Sequence, residues 1–112
     1  MNSEILKKYN ISFLKGIKGN KFPDGKTVLS SYLAIWSNVD DINDFLNDIN
    51  LCLNNQFNLV EDPDYSDGLF GIYGSLTPTT LILSGKGGTN PVVIPLVDFN
   101  QILLSWKEFL TS

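Results

Sequence analysis

Val92-Val93-Ile94-Pro95-Leu96-Val97-Asp98, running without a break into Phe99 to Leu110, is the stretch on which the fold turns. Its first part is a short apolar run of the kind that makes a buried strand. Its second part carries Phe99, Ile102, Leu103, Trp106, Phe109 and Leu110 at i, i+3, i+4, i+7, i+10 and i+11, one face of a helix. Asp98 stands just before that face, where its carboxylate can accept a hydrogen bond from a free backbone N–H of the first turn. Three aromatic rings on one face hold too much apolar area to be left in water. A flat apolar surface must lie beneath them, and a β-sheet from the middle of the chain is the expected partner.

The same face pattern occurs once more upstream. Ile42, Phe45, Leu46, Ile49, Cys52 and Leu53 repeat the spacing, which predicts a second helix capped by Ser37 or Asn38 and stopped at Asn54-Asn55. Val28 to Trp36 alternates in part and is rich in strand-forming residues, which predicts a strand. Ser3 to Tyr9 reads as a helical turn or a loosely held terminus, Asn10 to Leu14 as a short extended piece, and Phe57 to Val60 as a brief strand. Gly16 to Gly25 reads as loop, with Pro23-Asp24-Gly25 as its turn signal. Leu69 to Leu76, Thr79 to Ser84 and Val92 to Leu96 read as three strands in an antiparallel meander, the last two joined by a tight turn at Gly85-Lys86-Gly87-Gly88. Residues 1–112 then form a single α+β domain, a mostly antiparallel β-sheet with two amphipathic helices packed on one face.

Absent residue types narrow the chemistry. There is no histidine, which removes the usual general base, the Ser-His-Asp and Cys-His arrangements and most zinc sites. There is no arginine, so bidentate phosphate recognition and arginine readout of guanine are also missing. The net charge of −4 makes direct nucleic-acid binding an unfavoured expectation. No apolar run reaches the roughly 18 residues that cross a bilayer, so no membrane partner is expected. Met1 to Asn10 lacks the apolar core of a signal peptide, and a single cysteine suits a reducing compartment, so the expected location is cytoplasmic.

Three motifs invite a catalytic reading and do not sustain one. Gly85-Lys86-Gly87-Gly88-Thr89 has the glycines and lysine of a phosphate loop, but the lysine precedes the glycine pair and a strand-like run follows where a helix is needed. Cys52 lies on an apolar helix face with no histidine to activate it, which reads as a buried inert thiol. Twelve acids give many carboxylate pairs, but they fall on predicted exposed faces and loops, where nothing drives two pKa values apart. The expectation is a protein that is not an enzyme and uses no cofactor.

Charge placement is the feature that points to a partner. Residues 1–26 carry six lysines and two acids, whereas residues 27–112 carry two lysines and ten acids. Asp41, Asp44 and Asp48 lie at i, i+3 and i+7, away from the apolar stripe of the second helix, with no basic residue in that helix to relieve their repulsion. Asp40 and Asp41 complement the helix dipole, but Asp44 and Asp48 do not share that role. Glu61, Asp62, Asp64 and Asp67 surround Tyr65, four acids in seven residues. Three readings stand side by side: a solvated face and solubilising loop, a divalent-metal loop (without the EF-hand order of ligands), and an acidic docking surface for a basic protein.

The ending Ile94-Pro95-Leu96-Val97-Asp98-Phe99, followed by Leu103-Leu104-Ser105-Trp106-Lys107-Glu108-Phe109-Leu110, resembles the immunity proteins of bacterial contact-dependent growth inhibition and related polymorphic-toxin systems. Many of these have such a strand, a proline, then an Asp-led helix with Trp-x-x-Phe-Leu. The resemblance implies a cytoplasmic inhibitor that binds and neutralises a cognate protein toxin, often a basic nuclease domain. The acidic residues give that expectation a physical basis, because a basic toxin surface would be attracted to Asp41, Asp44, Asp48, Glu61, Asp62, Asp64 and Asp67. Tyr65 is the aromatic anchor expected among them. The alternative is a small non-enzymatic regulatory or adaptor module whose basic segment, with Lys15, Lys18, Lys21 and Lys26, engages an acidic partner.

Overall fold

The computed structural model describes residues 3–25, 27–67, 71–85 and 91–112. Lys26, the Leu69-Phe70 start of one predicted strand and most of the Gly85–Gly88 turn lie outside them. The described residues form an α+β fold of four helices and two antiparallel sheets. In chain order these are helix α1 (Ser3–Lys8), strands β1 (Ser12–Lys15) and β2 (Lys21–Asp24), and helices α2 (Val28–Ile35) and α3 (Val39–Leu53). A 3₁₀ turn (Phe57–Leu59) leads to strands β3 (Tyr73–Leu76), β4 (Thr80–Ser84) and β5 (Val92–Pro95), and helix α4 (Leu96–Thr111) closes the chain.

The β3-β4-β5 meander forms as expected, with Leu76 opposite Leu81 and Leu81 opposite Ile94 on its buried face. Strand β5 passes directly into α4. Pro95 occupies the N-cap position, and the Leu96 N–H donates to the Thr79 carbonyl at 3.0 Å, so the strand's last ladder bond is made by the helix's first residue. The helix therefore starts three residues before Phe99, and Asp98 lies inside its first turn. The Asp98 carboxylate makes no cap. It accepts from the Tyr9 hydroxyl at 2.6 Å and from Lys8 Nζ at 3.0 Å, which ties α1 to α4. Those two donors, the tyrosine first, hold the Asp98 carboxyl below its ordinary pKa. Burial and that same carboxylate push Tyr9 up to about 12.

Helix α3 begins and ends as its sequence predicts. The Asn38 side chain accepts from the N–H groups of Asp40 (2.8 Å) and Asp41 (3.2 Å), and Asn55 takes the left-handed conformation at φ 59° just beyond the last turn. Ile42, Phe45, Leu46, Ile49 and Cys52 are buried, and α3 packs along α4.

Two predicted strands do not form. Val28 to Trp36 is not a strand but helix α2. In so short a segment the alternating set Leu29, Ser31, Leu33, Ile35 overlaps the helical set Leu29, Tyr32, Leu33. Burial selects the second: those three are at most 2% exposed while Ser31 and Ala34 face water. Phe57 to Val60 is a 3₁₀ turn rather than a strand. The Gly16–Gly25 stretch also holds more structure than a loop. Its second half is β2, with Pro23 in the strand opposite Phe13, and β1-β2 is a hairpin separate from the main sheet. The inner face of that hairpin seats Phe13 against Trp106 and Phe109, with ring centroids 5.1 and 5.4 Å away.

Candidate functional site: an acidic face above an aromatic cluster

The Asn38 cap starts α3 so that Phe45 points inward, and Asp41, Asp44 and Asp48 line the flank of the helix beside it, Asp41 and Asp44 exposed and Asp48 half-buried. Phe45 is fully buried at the centre of an aromatic cluster. Trp36 lies 4.8 Å from it, Phe99 5.4 Å, and Tyr32 meets it edge-on at 6.4 Å. Tyr65 completes the cluster from above, its ring stacked on Phe45 at 3.9 Å and 10°.

The acidic segment 61–67 is held in place by its own polar side chains. The Asp62 carboxylate accepts from the Asp64 N–H, and the Asp64 carboxylate accepts from the Ser66 N–H, both at 3.0 Å, as two successive Asx turns. Ser66 holds the Asp64 carboxyl below its ordinary pKa. The segment then runs antiparallel along β3. Leu76 N–H donates to the Pro63 carbonyl, Tyr65 N–H to the Gly74 carbonyl, and Asp67 and Ile72 exchange both bonds. What reads in sequence as an open acidic loop is an irregular strand covering the sheet edge that β3 would otherwise expose.

Two hydroxyls fasten this strand to the helices. Tyr32 O–H donates to the Tyr65 carbonyl at 2.7 Å, and Tyr65 O–H donates to the Asp48 carboxylate. Burial and the carboxylates of Asp48, Asp44 and Asp62 raise the Tyr65 pKa, so its phenol remains a donor. The same physics raises Tyr32, by burial first and then, among the charges, by Tyr65, Asp64 and Asp67. The structure thus joins Tyr65 to Asp48 directly and brings the segment that holds Asp62, Asp64 and Asp67 against α3, where the charges of Asp44 and Asp62 are felt at Tyr65 and those of Asp64 and Asp67 at Tyr32. Asp41 and Glu61 are exposed on the flanking first turn of α3 and start of the segment, and nothing draws them to that centre. Among the described residues no ion pair engages Asp41, Asp44, Asp48, Glu61, Asp62 or Asp64; Lys8–Asp98 lies elsewhere.

The catalytic alternatives find little here. Cys52 is 3% exposed, and burial, with Asp48 adding to it, pushes its thiol pKa up, away from the nucleophilic thiolate. Among the described residues no three acidic or thiol groups are disposed to hold a metal ion. No described helix is long and apolar enough to cross a membrane.

Gly74 is a supporting residue that the sequence did not single out. A Cβ at that position would lie 2.8 Å from the Tyr32 hydroxyl oxygen and 2.9 Å from the Tyr65 carbonyl oxygen. The carbonyl is backbone and cannot swing away. Gly74→Ala is expected to cost about 1–3 kcal/mol, the usual range for overpacking. It should also break the Tyr32–Tyr65 bond, read as faster amide exchange at Tyr65 and Asp67, on the segment paired with β3, than within β4.

Comparison of the chain with known protein families, with characterised proteins and with solved structures found no match in any of the three.

Proposed function

We propose that this chain is an immunity protein, not an enzyme, that binds and neutralises a cognate toxin domain through its acidic face. The observation that carries the reading is the Tyr65–Asp48 bond that holds the acidic segment 61–67 against the acidic flank of α3, with Asp44, Asp48 and Asp62 in no ion pair among the described residues. Like charges held together cost stability, and a partner of opposite charge relieves that repulsion. The complementary partner is a basic surface such as a nuclease needs to hold phosphates, so the proposed toxin is a nuclease domain acting in the cytoplasm. Tyr65 is half-buried, its ring stacked on Phe45 and its hydroxyl bonded to Asp48, which makes it a held anchor rather than a free side chain.

The test is co-expression with the product of the adjacent gene, followed by size-exclusion chromatography and a growth assay. Co-elution with restored growth is the expected result, and a harmless neighbour that elutes separately rejects the reading. Within a confirmed pair, Asp44→Lys combined with Asp62→Asn should weaken binding at least about tenfold, roughly 1.4 kcal/mol, mostly through a slower association rate. The amide introduced by Asp62→Asn keeps the oxygen that accepts from the Asp64 N–H, so the Asx turn survives and the loss reports charge.

A further inference from the structure

A second exposed feature, opposite in charge, lies on the β1-β2 hairpin. Leu14 and Phe22 form a cross-strand pair on its outer face and are 41% and 38% exposed. Ile17, in the connecting turn, is fully exposed at 107%. The turn is closely bonded, with Gly16 N–H donating to the Asn20 carbonyl at 2.6 Å and Gly19 N–H to the Gly16 carbonyl at 3.0 Å, Gly19 at φ 84°. It therefore holds Ile17 outward in a set position. From Asn10 to Pro23 there is no acidic residue. Lys21 donates to the backbone oxygen of Ser112 at 2.6 Å, at the end of α4, whereas Lys15 and Lys18 are exposed and have no partner among the described residues. Scattered apolar residues on a surface need no explanation, but here three exposed ones share one short hairpin with two lysines that have no partner among the described residues.

We propose that this hairpin docks on the acidic face of a second copy of the chain. Charge complementarity selects that occupant. Lys15 and Lys18 call for an anionic site, and the same molecule carries one: Asp44 and Asp48 on α3 and Asp62 on the segment that the Tyr65 hydroxyl ties to Asp48, none of them in an ion pair among the described residues, with Leu59 of the preceding 3₁₀ turn 55% exposed. The two surfaces are different patches, and the proposed contact is head-to-tail, so that each copy keeps one free surface for the next. A small hairpin buries less area than a permanent dimer, so the association is weak, reversible and steep in concentration. It stands independently of the toxin reading, although a docked hairpin and a basic toxin would compete for the same acids.

Sedimentation of the full-length chain tests this with two variants built on exposed or conservatively changed positions. The hairpin variant is Ile17→Asp with Lys18→Gln. The acidic-face variant is Asp44→Asn, Asp48→Asn and Asp62→Asn, in which the amide oxygen brought in by Asp48→Asn still accepts from the Tyr65 hydroxyl. Circular dichroism confirms that each is folded. The weight-average mass of the unaltered chain should rise at least twofold with concentration while each variant alone stays monomeric. An equimolar mixture of the two should form a dimer and stop there, since it contains one working surface of each kind. A monomeric wild type overturns the proposal. So does a hairpin variant that associates normally, or a mixture that stays monomeric. Binding of the hairpin to anionic vesicles or to an acidic foreign protein, with no self-association, also overturns it.

Discussion

Replacing Phe45 with alanine is expected to destabilise the protein by about 3–5 kcal/mol, the usual cost of emptying a buried aromatic site. The figure should fall in the upper half of that range, because Phe45 has no exposed surface and touches four other rings from α2, α4 and the acidic strand. Those rings are rigid and cannot collapse into the space. Urea unfolding followed by tryptophan fluorescence measures the loss, with Trp36, 4.8 Å from Phe45, as one of the two reporters. Phe45→Leu separates packing from function. It retains much of the buried volume and should cost less, but it removes the flat surface on which Tyr65 rests. A partner that binds Phe45→Leu as tightly as the wild type would show that the seating of Tyr65 is irrelevant to the acidic face.

The parts of this structure legible in the sequence are those whose signals are local and lengthy. The apolar face of α3, the Asn38 cap and the Asn55 stop lie within one stretch of chain, and all three appear where the pattern places them. The meander is legible for the same reason. Segment Val28–Ile35 is not, because eight residues allow a two-residue and a 3.6-residue period to coincide at Leu29 and Leu33, and only tertiary burial separates them. Asp98 shows a second kind of failure: a carboxylate beside a helix start has a local partner by default, and its actual partners, Tyr9 and Lys8, are about ninety positions away. The candidate site divides along the same line. The acids of α3 and of segment 61–67 are each visible as a run, but their meeting depends on Tyr65 reaching Asp48 and Tyr32 reaching the Tyr65 carbonyl. With Tyr32 read as part of a strand, no pattern in the sequence could supply that bond. The structure also gives two of the acids an ordinary task, as Asp62 and Asp64 hold backbone turns whatever else they do.

Trp106→Ala is expected to match Phe45→Ala in cost, about 3–5 kcal/mol, and to show its consequences in a different place. Trp106 is 1% exposed on α4, and its indole N–H donates to the Trp36 carbonyl at 2.6 Å, where α2 ends. Its ring also meets Phe13 of the hairpin and Phe109 one turn further along α4. One side chain thus joins α4, the end of α2 and the inner face of β1-β2. Its removal leaves a carbonyl without its donor as well as a cavity, and the first of these alone costs about 1–3 kcal/mol if water cannot reach it. Trp106→Phe distinguishes the two, since it restores most of the apolar area without the N–H. It should recover part of the stability and leave the remainder as the hydrogen-bond share. The hairpin's other supports are the Phe13–Phe109 ring contact, Lys21 at the end of α4, and the contacts of β2 with α2 and α4. Amide exchange in Phe13 to Phe22 should therefore accelerate in Trp106→Ala more than in β3 or β4, whereas Phe45→Ala should loosen the 63–67 strand first. Equal acceleration of both regions in both variants would show that the molecule opens as one cooperative unit and that the two surfaces cannot be loosened separately.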